Sequence, residues 1–407
     1  MTLPVAVQVI AYFDVPTTPV FTLNDPVRGK LDDTTYVLAG DIATDITSDV
    51  VTIGTRRGRS RWLDEITPGV CQFTVRNRQR QYDPTGGGIY SANIVPNKRV
   101  QILVGGVTVF SGRVEDWNLS YDVQGDAFAY CIVTDALAQL GRTKMAAHTA
   151  TSQLSGARVN AVLDRSDVDF PAGQRDIATG VTTLQADSVS EGTDVYSYLQ
   201  LVSRTESGRL FAAGDGVLTF RERLTPVSSS DIVLFADDGT GIVYDSIGVA
   251  VGSELLYNRV TVTRSGGVAQ TVYDATSQNV YGIRTLEEDG LLFATDSDAQ
   301  ELAEFLVGKY SEPKLVFDTL GVNLSRITDS QAVRISQLEI GDVVQVLFTP
   351  PGGGTPIDRY GLVEGIEHSV SVDSHRVIFR LSSLDDAPFV LDDPVFGVLD
   401  GEAVLAY

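Results

Sequence analysis

The sequence repeats one pattern of residues at a distance of 249 positions, measured from Gly112 to Gly361. In the first copy, Val-Gln-Ile-Leu at 100–103 is followed after a short turn by Gly-Arg-Val-Glu at 112–115. In the second copy, Val-Gln-Val-Leu at 344–347 is followed after a longer turn by Gly-Leu-Val-Glu at 361–364. Two copies are too few for a solenoid. They instead predict two homologous barrel-like domains in one chain.

The match between the copies continues beyond these motifs. Each copy ends in a strand-like run, at 127–133 and at 376–381. The positions that keep the 249-residue offset are Val114 and Val363, Glu115 and Glu364, Ser120 and Ser369, and Val123 and Val372. We therefore expect the two segments to share one fold, and finding different folds there would contradict the interpretation.

Composition places the chain among ordinary globular proteins. Its 407 residues suffice for two or three domains, and 43% are hydrophobic while 21% are charged. The apolar runs are strand-sized, whereas a membrane-spanning helix needs about 20 apolar residues. The first residues lack the charged and then apolar layout of a signal peptide. We expect no membrane span, and synthesis in a reducing cytoplasm.

The net charge of −22 is unevenly distributed. Residues 1–100 carry 11 Lys or Arg and 10 Asp or Glu, whereas residues 101–407 carry 20 and 43. An acidic surface repels nucleic-acid phosphates. The acidic excess therefore indicates either simple solubility or a lining that DNA passes without sticking.

The predicted fold class is mainly β, a β-rich α+β protein. We predict a first tube-like β-barrel domain with an N-terminal arm at 1–145 and a small α+β middle domain at 146–231. A second tube-like β-barrel domain follows at 232–387, and a C-terminal arm at 388–407. Predicted helices lie at 134–141, 157–164, 193–203 and 296–310. Predicted strands include 5–13, 36–40, 258–264 and 270–274, and a hairpin is centred on Gly214–Asp215–Gly216.

The segment 56–61, Arg-Arg-Gly-Arg-Ser-Arg, is the most basic stretch of the chain. Four arginines in six residues would suit phosphate, but Asp64 and Glu65 follow at once. We therefore interpret the segment as a turn that forms a solvated loop or a contact between subunits, in preference to a nucleic-acid site.

Residues with catalytic potential are few. His368 and His375 lie in a predicted strand–turn–strand, so they cannot form the helical His-x-x-x-His pair of a zinc site, and His148 stands apart. Cys71 and Cys131 lie in strand-like runs and are expected to be free, small buried residues, with a disulfide as the less favoured alternative. We predict no catalytic, cofactor-binding or metal-binding residues.

Three further features carry alternatives. Glu115 and Glu364 would serve as a carboxylate pair, but their matching places in the repeat favour a structural role. The loop 237–241 lacks the spacing of a calcium site and, like Asp215, is expected to be turn chemistry. The glycines at 86–88 open no helix and lack the Lys-Ser/Thr of a phosphate-binding loop.

Four motifs in a fixed order resemble the minor tail proteins of long, flexible-tailed bacteriophages, of the kind common in phages of actinobacteria. They are Asn-Arg-Gln-Arg-Gln-Tyr-Asp-Pro at 77–84, the run from Tyr90 through Val-Gln-Ile to Ser-Gly-Arg-Val at 111–114, the helix and hairpin of 198–221, and Ile-Gly-Asp-Val-Val at 340–344. Together they cover roughly residues 50–385. Within that group the doubled barrel is similar to the baseplate hub, also called the tail-associated protein.

The resemblance implies a structural protein of the virion, placed at the tail tip and assembled in the host cytoplasm. Hubs of this kind are homotrimers, so that two barrels per chain match the six-fold tail tube. The implied partners are the tail tube or distal tail protein, the tape measure protein and other tail-tip proteins, with DNA passing through without specific binding. Two alternatives remain, which are a hexameric distal-tail ring protein and a host-surface carbohydrate-binding protein or cell-wall enzyme.

Overall fold

The computed structural model describes residues 5–13, 26–27, 30, 42–123, 125–223, 232–251 and 256–384. The predicted strand at 36–40 and the predicted C-terminal arm at 388–407 lie outside these residues, as does most of the N-terminal arm. Within the described residues, no helix is long and apolar enough to cross a membrane.

The chain forms 23 strands and six α-helices in its described parts. The N-terminal part contains β1 (Val7–Phe13), β2 (Ile42–Asp45), β3 (Val50–Gly58), β4 (Thr67–Arg76), β5 (Arg99–Val104), β6 (Val107–Tyr121), β7 (Ala127–Thr134) and α1 (Ala136–Arg142). The middle part contains β8 (His148–Ala150), β9 (Gln153–Leu154), α2 (Ser155–Leu163), β10 (Arg175–Ile177), β11 (Thr183–Leu184), β12 (Asp187–Val189), α3 (Val195–Glu206), β13 (Arg209–Ala212) and β14 (Leu218–Arg221). The C-terminal part contains β15 (Val233–Ala236), β16 (Ser246–Val251), β17 (Arg259–Arg264), β18 (Gln270–Tyr273), α4 (Ala275–Tyr281), β19 (Thr285–Leu291), α5 (Asp296–Tyr310), β20 (Leu315–Asn323), α6 (Asp329–Ser336), β21 (Val343–Phe348), β22 (Ile357–Val370) and β23 (His375–Ser383).

One 13-stranded sheet dominates the molecule, so the predicted mainly β fold class is confirmed. Its path runs β16-β20-β23-β22-β3-β4-β7-β6-β5-β1-β2, with β21 on β22 and β15 on β21. Within the described residues, no pairing joins the two ends of this path. Closure into two barrels, and the domain boundaries drawn from the sequence, therefore stay predictions.

The repeated segments adopt the same fold. Strands β5, β6 and β7 form an antiparallel meander, and β21, β22 and β23 form another. Val100 lies opposite Gly112 in the first, and Val344 lies opposite Gly361 in the second. The matching register confirms the repeat that the sequence predicts.

The equivalence extends by two more strands in each copy. Strand β7 pairs with β4 and β4 with β3, while β23 pairs with β20 and β20 with β16, all antiparallel. Ile53 lies opposite Phe73 in the first copy, and Ile247 lies opposite Leu320 in the second. We call β3–β7 the first repeat unit, and β16 with β20–β23 the second repeat unit.

The second repeat unit carries an insertion between its first two strands. There the chain forms a small sheet, β18-β17-β19, against which α5 packs. The predicted bounds of α5 are confirmed, because Thr295 and Asp298 form a capping box at its start and Leu302 and Leu306 point into the small core. The strands predicted near 258–264 and 270–274 correspond to β17 and β18.

The two repeat units join edge to edge, because β22 pairs with β3. Gly58 lies opposite Gly365 at the end of this pairing and has a φ of 90°. A Cβ at Gly58 would lie 2.2 Å from the backbone oxygen of Glu364, so only glycine permits this close approach.

The middle part confirms its predicted elements. Helix α3 buries Tyr198, Leu199 and Val202, as the helical periodicity predicts, and β13 and β14 form the predicted hairpin. Helices α1 and α2 also occur where they are predicted. The hairpin places Arg209 at the junction of the two repeat units.

Candidate functional site at the junction of the repeat units

The second repeat unit contains a β-bulge at Glu364, where the pairing of β22 with β23 skips one residue between Val363 and Gly365. The first repeat unit has the same bulge at Glu115, because the pairing of β6 with β7 skips this residue between Val114 and Asp116. A bulge leaves one residue unpaired and redirects its side chain. The repeated glutamates therefore have a structural reason to match in sequence.

Glu364 is fully buried and binds two arginines. Its carboxylate accepts hydrogen bonds from Arg59 Nε at 2.7 Å, Arg209 Nη2 at 3.3 Å and Ser382 Oγ at 2.8 Å. Burial alone would raise the pKa of Glu364, but the charges of Arg59 and Arg209 outweigh it and hold the pKa at about 2. The site is thus an ionised triad that joins the segment directly after β3 to β13 and β22.

A second ion pair extends the triad. Arg57 is buried on β3 and donates to Glu339 at 2.6 Å and to the backbone oxygen of Ala212 at 3.1 Å. Glu339 also accepts from the backbone N–H of Gly214 at 2.7 Å. The hairpin of the middle part is therefore held by both repeat units.

Trp62 covers the triad. Its ring lies 4.4 Å from the guanidinium carbon of Arg209, 5.5 Å from that of Arg59 and 3.7 Å from Lys309 Nζ on α5. Such cation–π contacts are favourable when the cation is desolvated. The cluster therefore also anchors the insertion of the second repeat unit.

The structure contradicts one of the two alternatives for the segment 56–61, the solvated loop, while a contact between subunits stays a prediction. The segment is not a solvated turn, because β3 continues through Gly58 and both Arg57 and Arg59 are buried in ion pairs. Arg56 and Arg61 are exposed. The signal was the alternation of β3, since Arg57 and Arg59 share a face with buried Ile53. The sequence alone indicated no role for Trp62, Arg209 or Glu339.

A cavity of about 330 Å³ lies beside the cluster, lined in part by Trp62, Gln200, Arg204 and Glu288. Within it Arg204 donates to Glu288 at 2.6 Å and lies 3.9 Å from Glu65.

His368 and His375 are brought together in a second buried polar pair. His368 Nδ1 lies 3.1 Å from His375 Nε2. Burial lowers the pKa of both rings, to about 4 for His375 and well below the usual value for His368. Both are therefore neutral at pH 7. His148 lies elsewhere and contacts the backbone oxygen of Ala146.

The remaining candidates behave as predicted. Cys71 and Cys131 are free and buried on neighbouring strands, and burial raises the pKa of both thiols. Asp215 bonds the backbone N–H of Val217, which is turn chemistry. In the loop 237–241, Asp238 likewise accepts a hydrogen bond from the backbone N–H of Thr240.

The loop that contains the glycines 86–88 packs on the first repeat unit. Asp83 accepts from Tyr121 Oη at 2.7 Å, from the backbone N–H of Thr85 at 2.8 Å and from Arg80 at 2.9 Å. These hydrogen bonds lower the pKa of Asp83. In the described part of the chain, no three His, Cys, Asp or Glu residues are grouped to hold a metal ion.

Solved structures of two tail proteins share this fold. The 43 kDa tail protein of prophage MuSo2 from Shewanella oneidensis matches with a TM-score of 0.59 and 14% identity, over 93% of this chain and 97% of that chain. The tail protein from Neisseria meningitidis MC58 matches with a TM-score of 0.58 and 11% identity, over 92% and 96%. No protein-family model and no curated protein matches the sequence. The chain has the fold of phage tail proteins, as the resemblance predicted, while a kinship to phages of actinobacteria stays a prediction.

Proposed function

We propose that this protein is the structural hub of a phage tail tip. In this proposal it is a homotrimer that connects the six-fold tail tube to the distal tip proteins and leaves a channel for DNA. The fold shared with two tail proteins over almost the whole chain supports a role in the tail. The tip position, the partners and assembly in the host cytoplasm belong to the proposal.

The observation that carries the proposal is the doubled repeat unit within one sheet. Each chain contributes two units of the same strand order and register, so three chains present six similar units. Six chains would present twelve, which does not match a six-fold tube one to one. The buried triad around Glu364 stabilises the fixed placement of the two units that such matching requires.

The acidic excess of residues 101–407 is consistent with a channel that must release DNA. Negative charge on the wall of the channel repels the phosphates of DNA and so prevents the DNA backbone from binding there. The proposal includes no catalytic step, since Glu364 is buried in ion pairs and Glu115 pairs with Arg142.

Native mass spectrometry of the full chain tests the stoichiometry. We expect three copies of the 43.8 kDa chain, and electron microscopy of the assembled tail is expected to place three chains beside the six-fold tube. A hexamer would favour the distal-tail ring, and a monomer without affinity for tube proteins would contradict both. Turnover of host cell-wall polymer that Glu115→Gln abolishes would instead favour an enzyme.

A further inference from the structure

The junction between the repeat units uses only part of β22. Along one edge of β22, the residues up to Leu362 pair with β21, and those from Gly365 onward pair with β3. Gly365 lies opposite Gly58, and Val370 lies opposite Ile53. The bulge at Glu364 separates the two pairings. Along this edge, the first part of β22 thus pairs within its own repeat unit, and the last part pairs with the other repeat unit.

The first repeat unit offers the same edge on β6. The 249-residue offset places Asp116 at the position of Gly365 and Tyr121 at that of Val370. The pairing of β6 with β5 reaches Arg113, at Arg99, and the strand continues to Tyr121. Within the described residues, no strand pairs with 116–121 on that side.

The second repeat unit offers the complementary edge. Strand β16 is the equivalent of β3, and within the described residues it pairs with β20 alone. The described residues of each chain therefore contain one complete junction, β3 with β22, and the two separate sides of a second, β16 and the end of β6.

We propose that β16 of one protomer pairs antiparallel with residues 116–121 of β6 in the next protomer, which is a second copy of this chain. This inference rests on the proposed trimer and names its interface. The contact is heterologous, and three such contacts with three junctions within chains would close a ring of six units.

The composition of β16 fits burial against a partner. Strand β16 reads Ser-Ile-Gly-Val-Ala-Val without a charged residue, and Val249 and Val251 are 43% and 67% exposed. Tyr121 at the end of β6 is 52% exposed. Exposed sheet edges are normally blunted by charges or proline because they aggregate. An uncharged, apolar edge strand indicates that another strand covers it.

The internal junction also fixes the expected register. Ile247 lies opposite Leu320 in the second repeat unit, as Ile53 lies opposite Phe73 in the first. Ile247 is therefore the equivalent of Ile53. Since Ile53 lies opposite Val370, Ile247 of one protomer should lie opposite Tyr121 of the next. Directly opposed cross-strand residues are close enough for a disulfide.

Disulfide trapping tests this register in the full chain. The double variant Tyr121→Cys with Ile247→Cys, oxidised under native conditions, is expected to give covalent dimers and closed trimers on non-reducing gels. Each single variant is expected to stay uncrosslinked, because a heterologous contact never brings a residue to its own copy. The native Cys71 and Cys131 are buried and give little background.

The outcomes separate this inference from the proposed function. Crosslinking of either single variant would indicate a two-fold contact and overturn the interface. A trimer by native mass spectrometry under reducing conditions, without crosslinks in the double variant, would overturn the interface and leave the hub proposal standing. A chain that forms no trimer at any concentration would overturn both.

A charge variant tests the same edge without a disulfide. Val251→Asp places a carboxylate on β16, and Val268→Asp is the matched control because both side chains are 67% exposed. We expect Val251→Asp to raise the dissociation constant of the trimer at least tenfold, since the carboxylate would be desolvated at the contact. The control should leave it unchanged. Equal effects of the two variants would overturn the interface.

Discussion

Glu115 and Glu364 occupy the same place in two copies of one bulge, yet their surroundings differ completely. Glu115 is exposed and contacts Arg142 and Thr134. Glu364 is fully buried between Arg59 and Arg209. The difference arises because the middle part covers the second bulge and leaves the first in solvent. The contribution of the same β-bulge to stability therefore depends on what packs against it.

The largest expected contrast comes from neutralising each glutamate in turn. Glu364→Gln removes the charge that balances two buried guanidinium groups, and breaking a buried ion pair in this way costs about 3–5 kcal/mol. Urea unfolding at pH 7 measures the loss. A loss below that of Glu115→Gln would show that the buried triad is not the stronger of the two sites.

A second contrast concerns the histidine pair, which occurs in one copy only. His368 and His375 correspond to Leu119 and Ala127 of the first repeat unit. Because their folded pKa lies below the unfolded value of about 6.5, the unfolded chain binds more protons as the pH falls. Stability should therefore decrease from about pH 6.5 down to about 4, by at most about 1.4 kcal/mol per pH unit for each ring.

Substituting the residues of the first copy tests this contrast. The double variant His368→Leu with His375→Ala should lose that pH dependence when unfolding is measured between pH 7 and 4. Asp135, whose pKa burial raises to about 6, acts in the opposite direction in both proteins and cancels in the difference. An unchanged slope would mean that these rings do not titrate on unfolding.

The smallest effect is expected at the exposed bulge. Glu115→Gln removes an ion pair with Arg142 that water screens, and exposed pairs of this kind contribute about 0–1 kcal/mol. The urea midpoint should barely move. Arg142→Gln is the matched variant, and a loss above about 2 kcal/mol in either would indicate a partner at this bulge beyond the exposed ion pair.

Features with local signals could be predicted from the sequence. The repeat fixed the register of two meanders because matched valines and glycines occupy matched ladder positions. Helix α5 was predicted at about 296–310, the bounds that the structure shows, since an apolar stripe, acidic first-turn residues and a following proline all agree. The hairpin β13–β14 followed from its Gly-Asp-Gly turn.

Features that depend on distant contacts could not be predicted. Arg57 and Arg59 resemble solvent-facing charges, and only partners about 280 and 305 residues away in sequence make their burial favourable. The pairing of β3 with β22 has no local signal, because any strand edge can accept another. The short helices α4 and α6 were missed, and α4 has no apolar stripe because Ser277 is its one buried residue.

The pairing of β3 with β22 also has a consequence for synthesis. Ile53 can pair with Val370 only after Val370 has been synthesised, which takes roughly 15–60 s at elongation rates of about 5–20 residues per second. During that interval one side of β3 is an open template for intermolecular pairing. Arg56, Arg57 and Arg59 lie along that strand and its end, and positive charges deter such association. We therefore expect Arg57 and Arg59, which later pair with Glu339 and Glu364, to oppose association of the nascent chain before those partners are made.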